Sequence, residues 1–508
     1  MTAPAPLLDP ADVDRLRAAL GDFTVAAVHD LLGPAGQAAH SQNDLSYVRR
    51  VVRGAGAGHL ATLVALFLLG DEVDESAARA ALAPLALEAA IGTGLVEVSA
   101  GAVRARLDVR PYSEAGGTDP WWVVSDFGSD VRAGPLAADH VLGIGNASLT
   151  LAQATPRSPV GRALDLGTGS GIQALHLGRH ADHVVATDIS GRALRLAATS
   201  AALSGQHWDL RAGSLLEPVA GEEFDLVVAN PPFVVSAGVD GYEYRDSGLA
   251  GDGVCQALLT GLPGVLAPGG TAQLLANWIV PDDGDWRGRL AGWLAGRGCD
   301  AWVWQREVAA PSEYATLWLR DAGEVPGTPR WNSSYDAWLD WFEGNRIVAV
   351  GMGLVTLWRS DAADPVLVLE DVPQAVEQPI GPELPAWISR QRWLAGTADA
   401  DLLDRPLRAA PDLVRTTDAL AGDAGWSVAA GRLRQSHGLR WEVEVDDAIA
   451  AVVAASTGAA PLRLILPLLA ASLDAAAEDV ERASLPIVRD LIGRGFLVPD
   501  ELTPEAPA

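Results

Sequence analysis

The chain has no lysine; all 37 of its basic side chains are Arg. Cysteine is nearly absent too, with only Cys255 and Cys299 in 508 residues. Two cysteines cannot build a disulfide framework and offer no metal-ligand spacing, so a reduced, cytoplasmic setting is expected. Positive charge is scarce: 65 acidic groups against 37 basic ones give a net charge of −28. A field of that sign repels polyanions and argues against gripping nucleic acid through its phosphates. Two local groupings run against the trend: Arg49, Arg50 and Arg53, and Arg104, Arg106 and Arg110. They read as solvated surface charge, with nucleic-acid binding left open. Long apolar runs are missing as well. The longest, Leu60 to Leu69, falls well short of the roughly 20 residues a bilayer requires and reads as a buried helix. Met1 is not followed by a basic stretch and an apolar core, so no signal peptide is expected.

What is present falls into three expected domains: 1–117, 118–360 and 361–508. Up to about residue 92 the pattern is helical, with Asp9 or Asp12 placed to cap a first helix and Asp74 and Ser76 another. Leu95 to Val98 and Val103 to Val109 then alternate apolar and polar residues around Ala100-Gly101, a hairpin signal. Helices followed by a hairpin predict a helical or winged-helix-like module, with a small helical cap as the alternative. Between 118 and 360, apolar runs alternate with helical stretches: 162–166, 183–188, 225–229, 270–277, 301–304 and 347–358. That alternation predicts an α/β fold with an open, mostly parallel sheet covered on both faces. Residues 361 to about 440 carry a weak pattern. Beyond Val445 the chain turns helical again, which predicts a second helical or winged-helix-like module. No internal repeat stands out.

In such sheets ligands bind beyond the carboxyl ends of the strands. Two segments with chemistry lie there. The first is Asp165-Leu166-Gly167-Thr168-Gly169-Ser170-Gly171-Ile172, a strand running into a glycine turn and then a helix. Glycine lets the backbone bend tightly and approach a ligand where a Cβ would clash. Asp165 ends the strand with a carboxylate, which suits an ammonium such as that of a methionyl tail. A second strand ends in Asp188, an acid suited to the hydroxyls of a ribose, with Ile189 beside it to pack on a purine face. Gly169 to Ala174 also fits the dinucleotide pattern G-x-G-x-x-A, so this stretch alone leaves an NAD-dependent oxidoreductase open.

The second segment is Phe224-Asp225-Leu226-Val227-Val228-Ala229 followed by Asn230-Pro231-Pro232-Phe233. Two prolines after an apolar strand fix φ and remove two donors, leaving a rigid surface of acceptors. The acceptors are the Asn230 side-chain oxygen and the Pro231 carbonyl; Phe233 adds a flat face. Such a surface suits a planar NH₂ group. Two acceptors can hold both N–H bonds, favour a pyramidal nitrogen and aim its lone pair at an electrophilic methyl. A dinucleotide-dependent oxidoreductase has no use for this segment.

Together these motifs resemble the class I S-adenosylmethionine-dependent methyltransferases with an Asn-Pro-Pro-aromatic signature, within the small methyltransferase group. That group includes protein glutamine N-methyltransferases and enzymes that methylate exocyclic amines of nucleobases. The resemblance covers about 135–280 and implies a Rossmann-like sheet, an S-adenosylmethionine cofactor, and a protein or nucleic-acid substrate presenting an amide or amino nitrogen. It implies that Asp165, Gly167, Thr168, Gly169, Gly171, Asp188, Ile189, Ser214 and Asn230 bind the donor. Asn230, Pro231, Pro232 and Phe233 would hold the target. Tyr244 to Gly253 also looks like the segment that follows this motif in the glutamine enzymes. Ser214 departs from the pattern, standing where many relatives place an acid. A methyltransferase fold that binds without turnover remains the non-enzyme alternative. His176, His180 and His183 lack spaced Cys or acidic partners, and no metal is expected. The Trp residues between Trp278 and Trp358, including Trp302, Trp304, Trp338 and Trp341, are expected to pack under the late strands and a cap helix, with lining of a substrate cleft as the alternative.

Overall fold

A computed structural model describes residues 4–114, 120–132, 136–236, 249–422 and 425–502. All six expected strands are present, and two more join them. In chain order they are β1 (Val160–Leu166), β2 (Ala181–Asp188), β3 (Asp209–Ala212), β4 (Phe224–Ala229), β5 (Leu266–Pro281), β6 (Cys299–Ala309), β7 (Ile347–Arg359) and β8 (Leu367–Asp371). Asp209-Leu210-Arg211-Ala212 is a short, half-polar edge strand, so no apolar run announces it; β8 is the opposite edge.

The strand order is β8-β6-β7-β5-β4-β1-β2-β3. β7 runs antiparallel to both its neighbours, β5 and β6. Every other pairing in the sheet is parallel. From β1 the chain winds outward first to β2 and β3, then back across to β4 and β5. This reversal opens a crevice at the carboxyl ends of β1, β2 and β4.

Helices α1 (Ile172–Leu177), α2 (Gly191–Leu203), α3 (Gly253–Gly261) and α4 (Trp286–Leu294) lie between strands in the usual crossover positions. Two more, α5 (Pro311–Asp321) and α6 (Pro329–Gly344), are inserted between β6 and β7. Most Trp side chains of this stretch are packed as expected: Trp278, Trp302, Trp304, Trp338 and Trp358 are buried, whereas Trp293, Trp318 and Trp341 are half-buried. Trp278 lies across Gly351 and Gly353 of β7, and its indole N–H donates to the Gln305 side chain at 3.1 Å.

The chain forms two compact units, residues 1–152 with 158–372, and residues 153–157 with 373–508. In the first, small polar side chains of α2 tie the amino-terminal segment to the sheet. Thr199 Oγ1 accepts from Leu7 N, Ser200 Oγ from Val124 N, and Ser204 Oγ, at the helix end, from Trp122 N. Strand Val73–Asp74 leads to helices Glu75–Leu82 and Leu87–Gly92, then to Val96–Ser99 and Ala102–Ala105, with the last strand central. The predicted run Val103 to Val109 is broken, however. It leaves the hairpin after Ala105, and Asp108–Tyr112 pairs with Trp121–Ser125 instead. Val103, Ala105, Leu107 and Val109 are all buried, so the alternation runs straight through the break and hides it.

In the second unit the weakly patterned region holds a long hairpin, Leu413–Gly422 with Gly425–Gln435. Its helical part repeats the amino-terminal scheme: Thr457–Pro461, helices Leu462–Ser472 and Ala477–Arg494, then Leu497–Pro499. Here the central strand, Pro406–Ala409, arrives from earlier in the chain. Ile91-Gly92-Thr93-Gly94-Leu95-Val96 and Ile492-Gly493-Arg494-Gly495-Phe496-Leu497 stand at corresponding turns. Gly94 and Gly495 both have left-handed φ, 77° and 81°. So short an echo does not register as a repeat in sequence alone.

A Cβ on Gly353 would collide with the Trp304 carbonyl oxygen and press on the Trp278 ring. Gly353→Ala is predicted to cost about 2 kcal/mol or more, through a forced backbone shift in the sheet centre. The denaturation midpoint of the sheet unit should fall accordingly; an unchanged midpoint would contradict this packing.

Candidate active site

Register sets the site. Leu166 of β1 pairs with Ala229 of β4 on one side and Thr187 of β2 on the other. The next residues, Gly167, Asn230 and Asp188, therefore stand side by side at the sheet edge, with roughly 5 Å between adjacent strands. A Cβ added to Gly167 would lie 3.9 Å from the Asn230 carbonyl oxygen.

The turn that follows β1 needs its glycines. Gly167, Gly169 and Gly171 have φ of 75°, 54° and 92°. Space above Gly169 is open, whereas a Cβ on Gly171 would strike Trp208. Asp165 braces this turn from below. One carboxylate oxygen accepts from Thr168 Oγ1 at 2.6 Å and from Ala174 N at 3.0 Å. The other, Oδ1, is buried without a hydrogen-bond partner among the described residues. Burial pushes the Asp165 carboxyl up from its ordinary 3.8 to about 7; the bonds from Thr168 and Ala174 oppose this, and the charge of Asp188 adds to it.

Asp188 holds the outer side of the turn. Its carboxylate accepts from Gly169 N at 2.9 Å and from Ser190 N at 2.8 Å. Ile189, the next residue, is 65% exposed, an unusual place for a large aliphatic side chain. Ser214 follows β3 at the same edge, two residues past Ala212, which pairs with Asp188. The segment before helix Asn146–Ala154 lies against the turn through Ser170 Oγ, which donates to the Leu142 carbonyl. Ser148 caps its own turn at Gly145 and receives Gln173 Nε2 on its carbonyl.

Asn230 is half-buried, and its side-chain oxygen is buried with no partner among the described residues. Pro231 is buried, while Pro232 and Phe233 are half-buried. The ring of Phe233 meets Trp318 of α5 edge-on, with centroids 6.0 Å apart. Of the segment Tyr244 to Gly253, residues 244–248 lie outside the described residues. Gly251 N donates to the Ser236 carbonyl at 2.8 Å. Asp252 accepts from Ile279 N and from both Arg289 Nε and Nη2 at 2.7–2.9 Å.

Sequence reasoning did not find Tyr314, Trp318 or Asn277. The only available signal was Asn277 itself, a polar residue amid the apolar Leu274-Leu275-Ala276 and Trp278-Ile279-Val280. Of the three histidines, His176 bonds the Tyr112 hydroxyl through Nε2 at 2.7 Å. Among the Arg groupings, Arg49 pairs with Asp71 and Arg110 with Asp108, both at 2.8 Å.

This strand order, with one antiparallel strand and a glycine turn at the switch point, defines a Rossmann-like class I methyltransferase sheet. Residues 142–280 match the family described as the methyltransferase small domain, and the chain carries a class I methyltransferase domain similar to protein glutamine methyltransferases. Residues 12–106 and 385–499 each match a family described as a domain of unknown function. A release factor glutamine methyltransferase of Xylella fastidiosa is 38% identical over 129 residues, covering 23% of this chain and 47% of that one. Ribosomal RNA small subunit methyltransferase C of Alcanivorax borkumensis is 31% identical over 121 residues, 24% of this chain and 34% of that one. The chain thus spans half or less of the length of these relatives. A solved 16S rRNA N2 G1207 methyltransferase of T. thermophilus aligns with 46% of this chain and 61% of its own, at 20% identity and a TM-score of 0.26, too slight a likeness to bear on substrate. Among the described residues, no helix is long and apolar enough to cross a membrane.

Asp165 gives the site a pH signature. Its stabilising contribution is fully present below about pH 4, where the carboxyl is protonated folded or unfolded. It is lost as pH rises through about 7, because the folded state then buries a charge. Asp165→Asn keeps an acceptor for Ala174 N and carries no charge. The variant is predicted to be more stable than the parent by about 1–4 kcal/mol at pH 8, and to lose that advantage near pH 4. Urea titrations at the two pH values read the difference. A variant less stable than the parent at pH 8 would contradict the buried charge.

Proposed function

We propose that this chain is an S-adenosylmethionine-dependent N-methyltransferase acting on a planar nitrogen, with a protein glutamine amide as the leading target. We assign catalysis to 118–360, flanked by modules 1–117 and 361–508. The observation that carries the reading is the buried, unpartnered Asn230 Oδ1 at the end of β4. A buried acceptor without a donor is costly, and an incoming N–H group relieves it.

The donor fits the other half of the crevice. Gly167, Thr168, Gly169 and Gly171 give a backbone cradle with open space over Gly169. The second orphan oxygen, on Asp165, suits an ammonium. Asp188 places an acid suited to ribose hydroxyls at the end of β2, exposed Ile189 offers an apolar face to adenine, and Ser214 can accept from its amino group. S-adenosylmethionine, once bound, supplies an electrophilic methyl on a sulfonium that departs as a neutral thioether. On the acceptor side, Asn230 Oδ1 and the Pro231 carbonyl receive the two N–H bonds of the target. Holding both favours a pyramidal nitrogen with its lone pair directed at the donor side. Pro231 and Pro232 keep these acceptors rigid, and Phe233 stacks on the planar group. The target's proton leaves after the nitrogen becomes cationic, so the chain needs no strong base.

The glutamine enzyme among the relatives supports an amide target, and the −28 charge supports a protein over an RNA. A nucleobase amine has the same geometry, and the ribosomal RNA enzyme among the relatives favours it as the second reading.

Incubation with radiolabelled donor and fractionated cell extract distinguishes the two. Label in the protein fraction, mapped to glutamine, is expected; label confined to RNA would move the target to a base. Asn230→Ala should lose roughly 10²–10³-fold in turnover, about 3–4 kcal/mol, while binding the donor within a few-fold of the parent. Near-full turnover by this variant would reduce Asn230 to a strand-end turn.

A further inference from the structure

We propose that Tyr314 is a positioning residue for methyl transfer, holding the Asn230–Phe233 loop in its accepting geometry; the inference rests on the acceptor role of that loop. β5 outruns β4. The last pair between them is Leu274 with Ala229, so Asn277 lies beyond the end of β4, level with the loop. Asn277 is buried, and its Nδ2 donates to the Tyr314 hydroxyl at 2.7 Å. The same hydroxyl accepts from Val235 N at 2.9 Å. Two residues past Phe233, the loop is thereby tied through one oxygen to the sheet strand beside it. Tyr314 is fully buried and held from behind by Trp338 and Phe342, with ring centroids 6.0 and 6.2 Å away.

One helical turn on, Trp318 stands between the two aromatic groups. Its ring is 6.0 Å from Tyr314 and 6.0 Å from Phe233, edge-on to both. The rear wall of the acceptor side is thus built by α5 and α6, the helix pair inserted between β6 and β7. Both helices lie outside residues 142–280, which carry the family match. The wall thus comes from outside the segment that carries the family match, and it limits how far Phe233 can tilt to receive a planar group. Positioning of this kind acts on rate: a displacement near 1 Å costs up to about 10²-fold.

The test is Tyr314→Phe in the full chain, which keeps the ring packing and removes the shared acceptor. Donor affinity is measured by calorimetry, and turnover by radiolabel transfer at saturating donor into the extract protein fraction, well below the melting temperature. Turnover is expected to fall about 10–100-fold with the donor Kd within threefold. A purely structural role would lower the melting temperature and leave low-temperature turnover at the parental value, which overturns the proposal. If Tyr314→Phe does not fold, Asn277→Ala decides. It leaves the Val235 bond and should lower turnover by about 3–10-fold with donor binding retained; parental turnover overturns the proposal. A parent chain that binds donor yet labels no amide or amine defeats the acceptor reading and this inference together. A parent that labels its acceptor while Tyr314→Phe keeps pace defeats this inference alone.

Discussion

Three parallel strands ending level with one another govern the rest of the site. Leu166, Ala229 and Thr187 are held in register by backbone hydrogen bonds. A one-residue slip in any of them would turn every following side chain to the opposite face. Because the register holds, a glycine turn, an asparagine and an aspartate emerge next to one another at the point where the sheet reverses its winding. No loop chemistry is needed to bring the three together. The loops only finish what the strands aim.

That edge concentrates polar groups in a nearly dry place. Asp165 is 1% exposed, and among the described residues one of its oxygens and the oxygen of the Asn230 side chain have no partner. A fold optimised for stability alone would pair such atoms or replace them. Two orphan oxygens on neighbouring strand ends, one raised in pKa by burial, set stability aside in favour of binding.

The sheet was legible because buried parallel strands write themselves as apolar runs, and the motifs because their residues are contiguous. Asn230-Pro231-Pro232-Phe233 stands out as a motif within four positions. The parts that escaped were those whose logic is long-range. Tyr314 and Val235 are 79 residues apart, and nothing in Pro311-Ser312-Glu313-Tyr314 marks the tyrosine as a strut for a distant loop. Edge strands such as β3 are short and half-polar, so period and hydropathy both miss them. The hairpin at 413–435 escaped because most of its residues are exposed, leaving no apolar face to set an alternation. The break after Ala105 escaped for the opposite reason, since burial continues through it unchanged.

The central claim is that the crevice over β1, β2 and β4 is built for a methionine-derived nucleoside, although its glycine pattern also fits a dinucleotide. Calorimetric titration of the full chain with S-adenosylhomocysteine, and separately with NAD, addresses this directly. The account predicts saturable binding of S-adenosylhomocysteine at one site, weakened by Asp188→Ala, and no heat from NAD at the same concentrations. Tight, saturable NAD binding with no response to S-adenosylhomocysteine would contradict it.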